Sequence, residues 1–208
     1  MTSCRRVTYS DLVEFDRARR GDSNRRIAGV DEAGRGALAG PVVAAAVVCD
    51  PHKDLTGVND SKLISEKYRE DLYEKICGCS LDWCVAIVEA AEIDRINILR
   101  ATLLAMKRAV NGLDPSPELV LVDGNHLPDV AYPSLAVKGG DAKSFSIAAA
   151  SIVAKVTRDR IMRGRDKDFP GYGFERNKGY GTREHISALK ERGRTEFHRR
   201  SFRIHSNV

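Results

Sequence analysis

The stretch "IAGVDEAGRG" (residues 27–36) sets two acidic residues, Asp31 and Glu32, where a short apolar run meets a glycine-rich turn. The apolar half reads as a buried β-strand, so the acids stand at a strand end, where side chains reach solvent. Successive strand residues point to opposite faces, and the two acids share one site only if the chain bends there or a cation draws them together. Gly34 and Gly36 make a bend easy. An isolated Asp-Glu pair reads more readily as an acidic turn after an edge strand.

Working outward, "PVVAAAVVC" (residues 41–49) reads as a second strand, bounded by glycine and proline and suited to pair antiparallel with the first. "SEKYREDLYEKIC" (65–77) has helical spacing, and "LDWCVAIVEA" (81–90) has the β-branched and aromatic content of a strand. In "AEIDRINILRATLLAMKRAVNG" (91–112), Ile93, Ile96, Leu99, Leu103, Met106 and Val110 recur three or four apart. That pattern predicts one amphipathic helix, stopped by Asn111-Gly112. "ELVLVDG" (118–124) and "YPSLAVKGG" (132–140) read as strands, and "AKSFSIAAASIVAKVTRDRIMRGRDKDF" (142–169) as a long helix packed along its small residues. One further helix is expected at "TREHISALKERG" (182–193). Early strands followed by alternating elements predict an α/β domain with a mixed sheet. The expected organisation is a polar leader at 1–25, a main α/β domain at 26–169, and a basic helical extension of the same domain at 170–208.

The 208 residues are 42% hydrophobic, enough to bury one sizeable core. The polar opening lacks the apolar region of a signal peptide, and no segment approaches the ~20 apolar residues of a membrane helix, so a cytoplasmic protein is expected. Five cysteines without a secretion signal point to reduced thiols, and "CGCSLDWC" lacks zinc-binding spacing. From residue 155 onward there are 15 Lys and Arg against 7 Asp and Glu, a balance of +8, whereas the preceding residues sum to −3. Concentrated positive charge neutralises phosphates, which makes nucleic acid the natural partner; a solvated basic face is the plainer alternative.

Two more acids bear on the opening pair. Asp123 ends the run "LVLV" before Gly124, and Asp141 follows "VKGG" ahead of the long helix. Four carboxylates converging where strands emerge from a sheet repel one another unless divalent cations occupy the site, and hard oxygen ligands suit Mg²⁺ or Mn²⁺. Two such ions are the standard apparatus for in-line attack on a phosphodiester. Singly, Asp123-Gly124 also reads as a plain turn and Asp141 as a helix cap.

In order, "GVDEAGRGALAGPVVAAAVV", "NDSKLIS", "VLVDG", "KGGDAKSFSIAAASIVAKVTRDRIM" and "NKGYGTREHISALKERG" closely resemble the motifs of ribonuclease HII, the type 2 ribonuclease H. The resemblance runs from about residue 26 to residue 202, most of the chain. It implies a ribonuclease H-like fold, with a mixed five-stranded sheet flanked by helices and a C-terminal helical extension. It also implies a monomeric endoribonuclease that hydrolyses the RNA strand of RNA–DNA hybrids and cuts 5′ of single ribonucleotides in duplex DNA. The products would carry a 3′-hydroxyl and a 5′-phosphate. Asp31, Glu32, Asp123 and Asp141 match the family's metal-binding acids, with Asp31 shared between two ions. Gly34, Arg35 and Gly36 match its glycine-arginine-glycine element, whose backbone would read the 2′-hydroxyl. Tyr180 matches a tyrosine expected to stack on the sugar of the following DNA nucleotide.

Ser61 and Lys62 are expected to touch the DNA backbone or brace the site. Lys155 and Arg158, four and seven residues beyond Ser151, are expected either to reach phosphates or to be ordinary helix-surface charge. His198 and Arg199 match a family tail motif with a structural role. Ala37, where many members have proline, and a single Lys62, where many have two lysines, depart from the pattern without touching a metal ligand.

Overall fold

The centre of the sheet is built from two runs of small and β-branched residues, β1 (Ile27–Ala33) and β2 (Val42–Cys49), paired antiparallel. The computed structural model describes residues 7–21, 25–53, 55–58 and 65–204. Every residue of β2 is buried, and its alternation divides them between two cores. Ala45, Val47 and Cys49 pack with α2 (Glu66–Cys79) and α5 (Phe145–Arg165); Val42, Ala44, Ala46 and Val48 pack with α3 (Ala90–Ile96) and α4 (Ile98–Asn111). Alanine lets a helix sit close to the strands. The tightest approach is at Gly29, where a Cβ would come within 2.0 Å of the Ser146 carbonyl carbon of α5.

With β3 (Ser80–Val88), β4 (Leu119–Asp123) and β5 (Ser134–Val137), the sheet has the order β3-β2-β1-β4-β5. β1 runs antiparallel to β2 but parallel to β4, and β4 is parallel to β5. The expected mixed five-stranded sheet with flanking helices is the observed one. In the C-terminal segment, α6 (Phe174–Asn177) and α7 (Arg183–Arg192) enclose a third core of Tyr172, Phe174, Ala188, Leu189 and Phe197, which reaches back to Ala39 and Met162.

The structure corrects two expectations and adds a helix in a segment for which none was expected or excluded. The single helix predicted over 91–112 is two, because Asn97 adopts φ 71° and its side chain caps the second helix by accepting from the Arg100 N–H. The long helix is shorter than 142–169: a 3₁₀ turn, Gly140–Ala142, precedes it, and Ser144 rather than Asp141 is its cap. The polar leader contains a helix, α1 (Tyr9–Arg20), opened by a capping box between Thr8 and Asp11. Its buried Asp16 accepts from the Ser144 hydroxyl (2.6 Å), the Ser146 hydroxyl (2.7 Å) and the Ser146 N–H (2.8 Å), fastening α1 to the start of α5. No helix among the described residues is long and apolar enough to cross a membrane.

Candidate active site

Parallel pairing of β1 and β4 reaches the pair Val30–Val122, and the next residue on each strand is an acid, Asp31 and Asp123. The sheet itself thus brings two carboxylates together from opposite halves of the chain. Asp31, Glu32 and Asp123 line a cleft of about 300 Å³ with Ala33, Gly34, Arg35, Gly36, Ser151, Lys155 and Tyr180. A larger cavity of about 440 Å³ lies beside α1, lined by Tyr9, Val13, Asp16 and Phe145 among others, and holds none of these acids.

Asp31 is 5% exposed. Burial first, then the neighbouring charges of Glu32 and Asp123, raise its carboxyl well above the ordinary range, against hydrogen bonds from the Glu32 N–H (2.7 Å) and from Ser151. Glu32 is raised chiefly by burial; Arg35, at 3.3 Å, pulls the other way. Asp123 accepts from the Gly140 N–H at 2.6 Å, which ties the end of β4 to the 3₁₀ turn carrying Asp141. Asp141 is itself buried but is not among the residues lining the cleft.

The carboxylates suit hard divalent cations, because an oxygen-only, buried and mutually repelling set gains most from a multiply charged ion. No three potential ligands among the described residues converge on one point as they stand. One oxygen of each is engaged: Asp31 Oδ1 accepts from the Glu32 N–H, Glu32 Oε1 from the Arg35 guanidinium and Asp123 Oδ1 from the Gly140 N–H. Asp31, Glu32 and Asp123 would be the residues to hold such an ion.

The glycine-arginine-glycine turn is held from beneath. Gly34 has φ +96°, and a Cβ there would lie 2.0 Å from Arg158 Nε. Arg158 is 0% exposed and donates to the carbonyls of Pro41 (2.9 Å), Lys178 (2.9 Å) and Ala39 (3.1 Å). It is therefore neither surface charge nor directed at a phosphate. Arg199, also 0% exposed, donates to Gly40 (2.9 Å), Arg35 (3.0 Å) and Pro41 (3.0 Å). A buried guanidinium endures because its fork matches several carbonyls at once. Lys155 does line the cleft, paired with Asp159 at 2.6 Å and lying 5.9 Å from the Tyr180 ring centre.

Tyr180 is set by its glycine neighbour. Gly179 has φ +79°, and a Cβ there would lie 2.6 Å from the Ala39 carbonyl oxygen, so the loop lies flat against residues 38–40. Ser61 and Lys62 lie outside the described residues. Sequence reasoning missed Ser151 as a partner of Asp31, and for Arg199 it gave a structural role without the carbonyls that define it. Ile147, Ser151, Ala154 and Arg158 fall on one face of α5, and that spacing was the available sign that Arg158 turns inward.

The ribonuclease HII family model matches residues 28–205. Curated relatives named ribonuclease HII from Burkholderia thailandensis and Burkholderia mallei are 56% and 55% identical over 176 residues, covering 85% of this chain and 82% of theirs. Among solved structures, ribonuclease H2 from Pyrococcus horikoshii OT3 superposes with a TM-score of 0.71 at 30% identity, covering 85% of this chain and 93% of that one. Ribonuclease HII from Archaeoglobus fulgidus, solved in complex with PCNA, gives 0.75 at 28% identity, covering 88% and 98%. Family match, close relatives and sheet order agree with the acid-lined cleft: the chain belongs to the ribonuclease HII family.

Proposed function

We propose that this endoribonuclease hydrolyses the RNA strand of RNA–DNA hybrids and cuts duplex DNA on the 5′ side of an embedded ribonucleotide, leaving a 3′-hydroxyl and a 5′-phosphate. The observation that carries the reading is the sharing of one cleft by Asp31, Glu32 and Asp123, the Gly34-Arg35-Gly36 turn and Tyr180. Asp31, Glu32 and Asp123, with Asp141 completing the set, would hold two divalent cations, Mg²⁺ or Mn²⁺. Such ions supply an activated water and neutralise the departing oxygen.

The chain's own residues supply recognition. The glycine turn exposes backbone on which a 2′-hydroxyl can be hydrogen-bonded, and this is the group that separates RNA from DNA. The Tyr180 ring, half-buried at the cleft wall, presents a flat face to the sugar that follows. Lys155 offers positive charge to a nearby phosphate, and the basic segment from residue 155 onward supports binding of the duplex. Ser61 and Lys62 are proposed to contact the DNA backbone.

The test is cleavage of an end-labelled DNA duplex carrying one ribonucleotide, beside an all-DNA duplex, with Mg²⁺, Mn²⁺ or chelator. A metal-dependent cut 5′ of the ribonucleotide only is expected. Cutting of both duplexes would replace the reading with a structure-specific DNA nuclease, and binding without any cutting with a non-catalytic nucleic-acid module.

A further inference from the structure

Behind Tyr180 lies a chain of hydrogen bonds that the chemistry described so far does not use. The Thr195 N–H donates to His198 Nδ1 at 3.0 Å, and the Thr195 hydroxyl lies 2.9 Å from the same nitrogen. His198 Nε2 stands 3.1 Å from His185 Nε2, and His185 Nδ1 lies 2.9 Å from the Tyr180 carbonyl oxygen. Both rings are buried, His185 in α7 and His198 in the segment after it.

Proton placement follows from the two ends. A carbonyl only accepts, so His185 carries its proton on Nδ1 and offers Nε2 as an acceptor. A backbone N–H only donates, so His198 Nδ1 is bare and its proton sits on Nε2. The ring-to-ring contact then has one donor and one acceptor, and all the bonds run the same way. The order holds only with both rings neutral, since a proton added at the contact would set two N–H groups head to head.

The surroundings favour that state. Phe174 packs edge-on to His185 with ring centres 5.4 Å apart, and Tyr172 lies 4.9 Å from His198. Of the charged groups that act on the pair, Arg194 disfavours a proton on His198, while Glu184 favours one on His185 but is turned to Arg176, and burial outweighs it.

We infer that His185 and His198 are positioning residues, a directional relay from Thr195 that fixes the Tyr180 backbone and so aims the Tyr180 ring into the active-site cleft. The inference rests on the reading of Tyr180 as the residue that senses the sugar after the ribonucleotide. Thr182 N–H also donates to the Tyr180 carbonyl, at 2.8 Å, so loss of the histidine leaves that oxygen bonded but less constrained. The effect belongs to the aim of the tyrosine and not to the survival of the loop.

Two measurements decide it. Ring ¹⁵N shifts of the intact protein at neutral pH should show the Nδ1–H tautomer at His185 and the Nε2–H tautomer at His198; the opposite tautomer at either ring overturns the relay. The second is the ratio of kcat/KM on a single-ribonucleotide duplex to that on a duplex with a run of ribonucleotides. H185F should lower this ratio about fivefold, the factor carried by one lost hydrogen bond. H185N, whose amide replaces the Nδ1–H donor, should restore it.

In a Y180A background H185F has nothing left to act through, so a further, additive fall in the ratio would overturn the proposal. If Y180A alone leaves the ratio unchanged, the tyrosine reading fails, and the tautomers alone then decide whether the relay exists.

Discussion

Arg158 and Arg199 meet at a single acceptor, the carbonyl oxygen of Pro41, with Nε of one at 2.9 Å and Nη2 of the other at 3.0 Å. They come from segments far apart in the chain and serve the same short loop, residues 35–41. Burial, then the proximity of Arg158, pushes Arg199 down to about 9, and burial lowers Arg158 as well. Two like charges are tolerated in one interior because their donors answer carbonyls that have no strand partner.

Arg199→Lys should therefore not behave as a conservative change. A lysine offers a point charge where a fork spanning three carbonyls is needed, leaving buried acceptors unmatched at a cost of about 2–4 kcal/mol. Thermal melting should show the loss, and cleavage should fall with it because the Arg35 carbonyl is released. A lysine variant with wild-type melting and turnover would refute the bracing role.

The two glycines of the turn should separate structure from recognition. Gly34→Ala meets both a φ of +96° and the Arg158 side chain 2.0 Å away, so it should destabilise the fold by more than 1 kcal/mol, on the order expected of a strained substitution. A Cβ at Gly36 meets no atom within 4 Å. Gly36→Ala should melt as the wild type and yet cleave poorly, because the added methyl occupies the space offered to the substrate. Unchanged kcat/KM in that variant would show that the substrate backbone does not approach there.

Asp31→Asn should abolish turnover by roughly three orders of magnitude or more, the scale on which metal-assisted hydrolysis depends on its ligands. The apo protein should be no less stable, and by about 1 kcal/mol more so, because a buried carboxylate repelled by Glu32 and Asp123 is replaced by a neutral isostere. Calorimetry without metal, beside cleavage with Mn²⁺, checks both halves. A large drop in melting temperature would mean that the Asp31 charge is structural.

Acidification should loosen the C-terminal segment. His198 is lowered from 6.5 to about 4, by burial first and by the neighbouring His185 and Arg194, and His185 is lowered by burial. A depressed histidine contributes its stability in full above the unfolded pKa of 6.5 and loses it as pH falls toward about 4, since the unfolded chain takes up the proton first. Between pH 7 and pH 5 the loss should be about 1–2 kcal/mol. Urea titrations across that window should show it, and His198→Gln should flatten the slope.

Asp16→Ala removes the acceptor of three bonds and leaves the Ser144 and Ser146 donors buried. A cost of about 2–3 kcal/mol is expected, with α1 released first. Hydrogen exchange should show faster opening of Tyr9–Arg20, and cleavage at saturating metal should change little because the acids lie on other elements. Protection of α1 equal to wild type would remove Asp16 from its anchoring role.

The strands and the acids at their ends were legible because they obey local rules. Asp31 and Asp123 each follow an apolar run and precede a glycine or a glycine-rich turn, and the parallel register makes them neighbours. What escaped depends on distant partners. Nothing in the polar sequence of α1 announces that Asp16 will meet serines about 130 residues later. The break at Asn97 leaves the apolar spacing of 91–112 undisturbed, so periodicity alone does not reveal it. Arg158 reads equally as a phosphate contact or as surface charge, and Arg199 as structural with no named partner, until the carbonyls that bury them have been put in place by folding.

The bond from Arg199 to the Arg35 carbonyl closes a loop of 164 residues, and this sets a schedule on the ribosome. The β1–β2 hairpin forms from neighbours and is available early, whereas the glycine turn stays unbraced until Arg199 has emerged. A growing chain thus carries its first two acids through the synthesis of these 164 residues without the support that shapes their surroundings. The glycine turn takes its braced form only after Arg199 has emerged, and a protease that clips the segment around Arg199 would disarm the enzyme while leaving all four acids in place.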